Sequence, residues 1–231
     1  MIKTILSALT AATLMTGAAN ASIVQNGSFE QSPGVPGIRN NAQIFENLNS
    51  GPGASWQIWK SLPGWTTTSG AGIEIQSNRT LGSIDAQHGQ HYVELDSNNN
   101  SSMLQTVTLA VGAYSLDFYY SPRTSNAATN GVSWSLDGLT SGTVTNGTAG
   151  ATVGNWSKIT SVFNVAAAGT YSLIFSAEGI SESYGGLIDN VAINGAPNPG
   201  PAPVPVPAAS ILLLSAAGAL AALRSKAKAK A

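Results

Sequence analysis

Cysteine is absent from the 231 residues. No disulfide can staple the fold, and neither a thiol nucleophile nor a cysteine-based zinc site can be built. Charge is scarce too, at 9% of the chain, against about 25% in an ordinary soluble domain. Histidine occurs twice, as His88 and His91. That H-x-x-H spacing lacks the glutamate of a zinc-protease helix, and it falls in a turn-then-strand segment where positions three apart face opposite ways. Gly-x-Ser-x-Gly is missing, which removes the usual nucleophile elbow. Positive charge is the rarest commodity where it would matter most. Between Ser22 and Gly195 eleven acids face only Arg39, Lys60, Arg79, Arg123 and Lys158, a net charge of −6. Such a domain has no electrostatic route to nucleic acid.

What is present begins at the two ends. Met1–Lys3 is a short positive start, Thr4–Ala18 is mostly apolar or small, and Ala19 and Ala21 form a small-x-small site. Residues 1–21 therefore read as a signal peptide cleaved after Ala21, and the protein as exported. At the other end Val206–Leu223 is eighteen residues, about 27 Å of helix and near the lower limit for crossing a bilayer. Arg224, Lys226, Lys228 and Lys230 follow at once. Residues 208–223 are expected to be a marginal transmembrane helix, with 224–231 a basic cytoplasmic tail. Prolines at 197, 199, 201, 203, 205 and 207 exclude helix and favour extended polyproline II, so 196–207 reads as a stalk.

Residues 22–195 form one domain, large enough for its own core. Its period is two: Tyr114, Leu116, Phe118 and Tyr120 alternate with Ala113, Ser115, Asp117 and Tyr119. Further β-rich runs are Met103–Leu109, His91–Asp96, Val132–Leu136, Trp156–Val165, Thr170–Ala177 and Leu187–Ile193. Asn-Gly, Pro-Gly, Asp-Gly and Gly-Gly pairs separate them. Many short strands with such turns predict an all-β antiparallel sandwich, a jelly roll. Gln31–Ser55, rich in Gly, Pro and Asn, is expected to be a long loop.

Two resemblances sharpen these expectations. Val204, Pro205, Val206, Pro207 and Ala208, followed by the apolar helix and basic tail, resemble the VPLPA-type C-terminal sorting signal, a relative of PEP-CTERM signals. Val206 stands where Leu is usual. The resemblance implies processing by an exosortase, with the protein anchored in the inner membrane beforehand and at the cell surface or outside it afterwards. Within the domain, Asn26–Glu30, Leu62–Trp65, Gly89–Asp96 and Gly185–Val191 occur in an order similar to galactose-binding-like jelly rolls, the fold of many carbohydrate-binding modules. That resemblance implies a sugar site on a face or loop edge, and often one structural calcium ion.

In the related modules the acid after the first-strand Phe and the acid opening the last strand often meet. Here those positions are Glu30 and Asp189, implying one calcium completed by carbonyls or by Asn26 or Asn190. The alternative is a solvated Glu30 and an Asp189 that caps a turn through the backbone. For sugar, an aromatic ring stacks on the pyranose while amides and carboxylates read the hydroxyls. Trp56, Trp59 and Tyr184 are the candidates, with plain packing as the alternative; Trp65 and Trp156 read as core or corner residues. Glu74, Glu94 and Asp96 could supply a glycosidase-like pair, but Glu94 and Asp96 share one strand face, and a solvated face is the reading preferred. The function expected is a non-catalytic carbohydrate-associated protein of the envelope or extracellular matrix, with exopolysaccharide as partner. The alternative is a structural or protein-adhesive domain.

Overall fold

Alternating side chains along the strands fold the domain into two facing sheets. The computed structural model describes residues 22–31 and 56–197. The signal-peptide residues Ala19 and Ala21, most of the Gln31–Ser55 loop, the sorting motif 204–208, the 208–223 helix and the basic tail lie outside the described residues. In chain order the elements are β1 (Trp56–Trp59), β2 (Ser61–Leu62), β3 (Trp65–Ser69), β4 (Ile73–Ser77), β5 (His91–Glu94), β6 (Ser102–Leu109), β7 (Gly112–Pro122), β8 (Gly131–Leu136), β9 (Thr140–Val144), the short α1 (Asn146–Ala149), β10 (Ser157–Val165), β11 (Gly169–Glu178) and β12 (Gly186–Pro197). The first sheet runs β1-β4-β5-β12-β7-β10 and the second β2-β3-β6-β11-β8-β9. Every strand pair is antiparallel. The all-β antiparallel two-sheet sandwich expected from the period-two pattern is what the chain forms. Among the described residues no helix is long and apolar enough to cross a membrane.

Alternation explains the core. On β7, Tyr114, Leu116, Phe118 and Tyr120 all point between the sheets and are buried, and Met103, Val107 and Leu109 of β6 meet them from the other side. The centre is a run of aromatic rings in tilted and edge contacts. Phe29 lies 5.9 Å from Trp65, Trp65 6.1 Å from Phe175, and Phe175 5.0 Å from Phe118. Rings in these geometries add about 0.5–1.5 kcal/mol per pair to their burial.

Two features outside the core matter for the site. First, β4 and β5 are buried on both faces. Residues between β4 and β5 fold back over the outside of the first sheet, where Ile84 joins Tyr92 and Leu187 in a second small core against Leu81, Ala86 and Trp156. Second, β12 carries a bulge between Asp189 and Ala192, with Asn190 at φ 49°. There Val191 donates its N–H to the carbonyl of Gly27 at 2.8 Å. A Cβ on Gly27 would lie 1.9 Å from Val191 O, so only glycine lets the N-terminal segment dock on the bulge.

Candidate functional site: a polar cavity on the outside of the first sheet

Register puts the chemistry on the outer face. Glu74 pairs with Glu94 across β4 and β5, Ile58 of β1 pairs with Glu74, and Trp56 pairs with Gln76. Paired residues share a face, whereas Ile73 and Ile75 face the core. Trp56, Glu74 and Gln76 line a cavity of about 310 Å³, walled further by Thr80 and Leu81 after β4, Ser97 and Asn98 after β5, Arg123 after β7, and Ser183 before β12. That volume sits at the small end of ligand sites, which run from about 300 to 1,000 Å³.

The floor is a buried network centred on Glu94, which is fully enclosed. Arg123 Nη1 donates to both of its oxygens at 2.7 Å, and the Gly185 N–H donates to Oε1 at 2.7 Å. The Gln76 amide bridges the two acids, donating to Glu74 Oε1 at 2.7 Å and to Glu94 Oε2 at 2.5 Å. Burial pushes the Glu94 carboxyl up to about 8; Arg123 opposes this and the charge of Glu74 adds to it. Glu74 is also raised, chiefly by burial, against the Gln76 hydrogen bond and the charge of Arg123. With its donors spent, Gln76 has an Oε1 that is buried and accepts nothing, and Ser97 Oγ is buried without a partner. Both residues line the cavity.

The sugar-platform candidates separate cleanly. Trp56 is 48% exposed at the cavity. Tyr184 is 47% exposed, and its ring centroid lies 4.7 Å from the Arg123 guanidinium carbon. Trp56 therefore lines the cavity, and Tyr184 lies against one of its lining residues, Arg123. Trp59 does neither. Three positions along a strand reverse the face, so Trp59 turns inward, is 8% exposed and belongs to the core; it cannot serve as a stacking platform. Trp65 is buried and donates to Asn26 O, and Trp156 packs edge-on against Tyr92, as core and corner residues. The solvated-face reading of Glu74, Glu94 and Asp96 is also corrected: all three are buried beneath covering loops. Arg123 and Gln76 are the site residues that sequence reasoning missed. Gln76 alternates with Glu74 in the run Ile73–Ser77, a signal that alternation alone could have raised.

The other candidate pair meets at the 87–91 turn. Glu30 Oε1 accepts the N–H groups of Gln90 and His91, both at 2.8 Å, and Oε2 lies 2.9 Å from His91 Nδ1. Burial opposes ionisation of Glu30, but these donors outweigh it and hold the carboxyl below its ordinary value. Asp189 is fully buried, with Oδ2 accepting His88 N–H at 2.9 Å and Oδ1 accepting Asn190 N–H at 2.6 Å. Burial raises it to about 7, and the neighbouring charge of Glu30 contributes in the same direction. A divalent cation would relieve that repulsion. It would have to ligate Glu30 through Oε2 in competition with His91, because Oε1 is already filled by two N–H groups. Among the described residues no group of three or more His, Cys, Asp or Glu is gathered for a metal.

Fold and site together define an antiparallel jelly-roll-like sandwich with a lateral polar cavity. The chain belongs to a family described as "Protein of unknown function (DUF642)", which matches residues 22–194. No curated protein matches it. Among solved structures it is similar to TmCBM61 in complex with beta-1,4-galactotriose, at 16% identity and TM-score 0.47 over 76% of this chain and 99% of that one. It is also similar to the arabinose-bound MgGH51 α-L-arabinofuranosidase, at 12% and 0.45 over 76% of this chain and 26% of that one. A third is a CBM35 from Paenibacillus barcinonensis, at 16% and 0.38 over 62% and 100%.

Proposed function

We propose that the domain is a non-catalytic carbohydrate-binding unit and that the cavity beside Trp56 is its sugar site. One observation carries this reading: an exposed tryptophan stands at a cavity whose buried walls hold hydrogen-bond acceptors with nothing to accept. A pyranose offers an apolar face to the ring and hydroxyl donors to Gln76 Oε1 and Ser97 Oγ. Catalysis is a poorer match. Both Glu94 oxygens are held by Arg123, Gly185 and Gln76, so neither is poised as an acid or a nucleophile. The protein should be retained on polysaccharide beads, including the exopolymer of the producing cell; Trp56→Ala should lower retention at least tenfold, whereas Trp59→Phe should leave it unchanged. Passage of the wild type through every polymer would favour the protein-adhesive alternative.

Around this unit we place the export signal, the stalk and the sorting motif Val204–Ala208, with an exosortase as processing partner and exopolysaccharide as the surface ligand. The order motif, apolar segment, basic tail supports this. Deleting the exosortase should leave full-length chain in the membrane fraction; unchanged processing would reject that route. Glu30 and Asp189 would hold one structural calcium ion, supported by the burial of Asp189 beside a second carboxylate.

A further inference from the structure

The cavity is unbalanced in both hydrogen bonds and charge. On the donor side, Arg123 Nη1 is committed to Glu94 and to the carbonyl of Ser183, and the Gln76 amide nitrogen is committed to Glu74 and Glu94. On the acceptor side, Glu74 receives one donor, the Gln76 amide, while Gln76 Oε1 and Ser97 Oγ receive none. Gln76 is itself enclosed and lines the cavity, and its Oε1 has no partner within the described residues. A buried acceptor left unmade is a standing cost that a donor-bearing ligand removes. In charge, Arg123 already pairs with Glu94, which leaves Glu74 as a lining acid with no salt bridge among the described residues. A neutral sugar would meet the hydrogen-bond deficit but not the charge. A carboxylated sugar would worsen the charge.

We propose that the cavity takes a glycan through a protonated amine, that of a hexosamine lacking its acetyl group, seated against Glu74 with Gln76 Oε1 and Ser97 Oγ accepting its hydrogens and Trp56 stacking on its ring. This rests on the reading of the cavity as a sugar site and names its substrate class. An ammonium brings three donors and no acceptor, which complements acceptors that have no donor of their own. It also pairs with the Glu74 carboxylate, which burial otherwise disfavours in its charged form. The same geometry builds selectivity by repulsion: a uronic acid would bring its carboxylate against Glu74, while the guanidinium at the cavity, Arg123, already pairs with Glu94.

Titration calorimetry on the full chain, at a pH where the amine is protonated, decides the matter. The probes are a glucosamine tetramer, its N-acetylated counterpart, a cello-tetraose and an oligogalacturonate. The glucosamine tetramer should bind at least tenfold more tightly than either neutral oligomer, with the oligogalacturonate not bound. Glu74→Gln, close in shape, should erase that advantage while leaving neutral binding in place. Ser97→Ala, which needs no change to the buried network, should reduce it severalfold. Equal binding of amine and N-acetyl forms, or preference for the uronate, overturns the amine proposal and leaves the sugar site standing. Binding of no oligomer, or binding indifferent to Trp56→Ala, overturns both.

Discussion

Two acid clusters are held within this domain, and their partners differ in kind. At the 87–91 turn, Glu30 and Asp189 are held mainly by backbone N–H groups from Gln90, His91, His88 and Asn190. The carboxylates replace the ladder partners that a turn would otherwise lack, and they lock the N-terminal segment and the β12 bulge onto that turn. On the outer face of β4 and β5, Glu74 and Glu94 are held largely by side chains, Arg123 and Gln76, and the network stops short of satisfying itself. A fold closes its polar accounts where it only needs to stand, and leaves them open where a ligand completes them. The first cluster fastens the chain; the second faces a cavity.

Removing one acid from each cluster sharpens the contrast, and the largest effect belongs to Glu94→Ala. It strands Arg123, whose side chain is only 20% exposed, and breaking a buried pair costs about 3–5 kcal/mol. The melting temperature should drop by about 10 °C. Replacing Glu94 and Arg123 together by methionine should restore most of that, because no lone charge remains. Glu30→Ala should cost less, about 1–2 kcal/mol, since its side chain is 31% exposed and water can reach the vacated donors. Thermal melts of the three variants check the ranking. A larger loss for Glu30→Ala than for Glu94→Ala would reverse the roles assigned to the two clusters.

Much of the fold was legible in the chain, and the site only partly, for a common reason. Alternation tells which residues share a face but not what lies over it. Tyr114, Leu116, Phe118 and Tyr120 read correctly because their face is the sandwich interior. Glu94 and Asp96 alternate in the same way and read as solvated, yet the residues around Ile84 cover that face, and their sequence has no period to announce it. The run Trp56–Trp59 could not be resolved at all. Trp56 and Ile58 share one face, Gln57 and Trp59 the other, so each face has one polar-capable and one apolar choice; only pairing with Ile73 and Ile75 decides it. The Glu30–Asp189 meeting was legible solely through resemblance, because the two positions lie at opposite ends of the domain.

A smaller effect separates the clusters by titration. Glu94 rises from 4.5 to about 8 and Asp189 from 3.8 to about 7 on folding, both mainly through burial. The fold thus favours their neutral forms. Their contribution to stability is complete below the unfolded values, declines as pH rises above them, and is lost once pH passes about 7 for Asp189 and about 8 for Glu94. Glu30 and Asp117 are lowered instead, so what they contribute is lost only as pH falls below the ordinary carboxylate range. Between pH 5 and pH 8 the melting temperature should therefore decline, by about 5 °C in EDTA. Asp189→Asn should make the earlier part of that decline, up to about pH 7, shallower and leave the later part, which belongs to Glu94 alone. Calcium should flatten the same earlier part, since an ion on Glu30 and Asp189 keeps Asp189 charged at no cost and stabilises the fold by about 2.7 kcal/mol at a hundredfold excess over its Kd. Identical curves in calcium and EDTA would show that backbone N–H groups alone hold this cluster. A melting temperature that is flat in EDTA from pH 5 to pH 8 would mean that both clusters keep their charges through folding, and the distinction between a satisfied latch and an unsatisfied cavity floor would then have to rest on ligand binding alone.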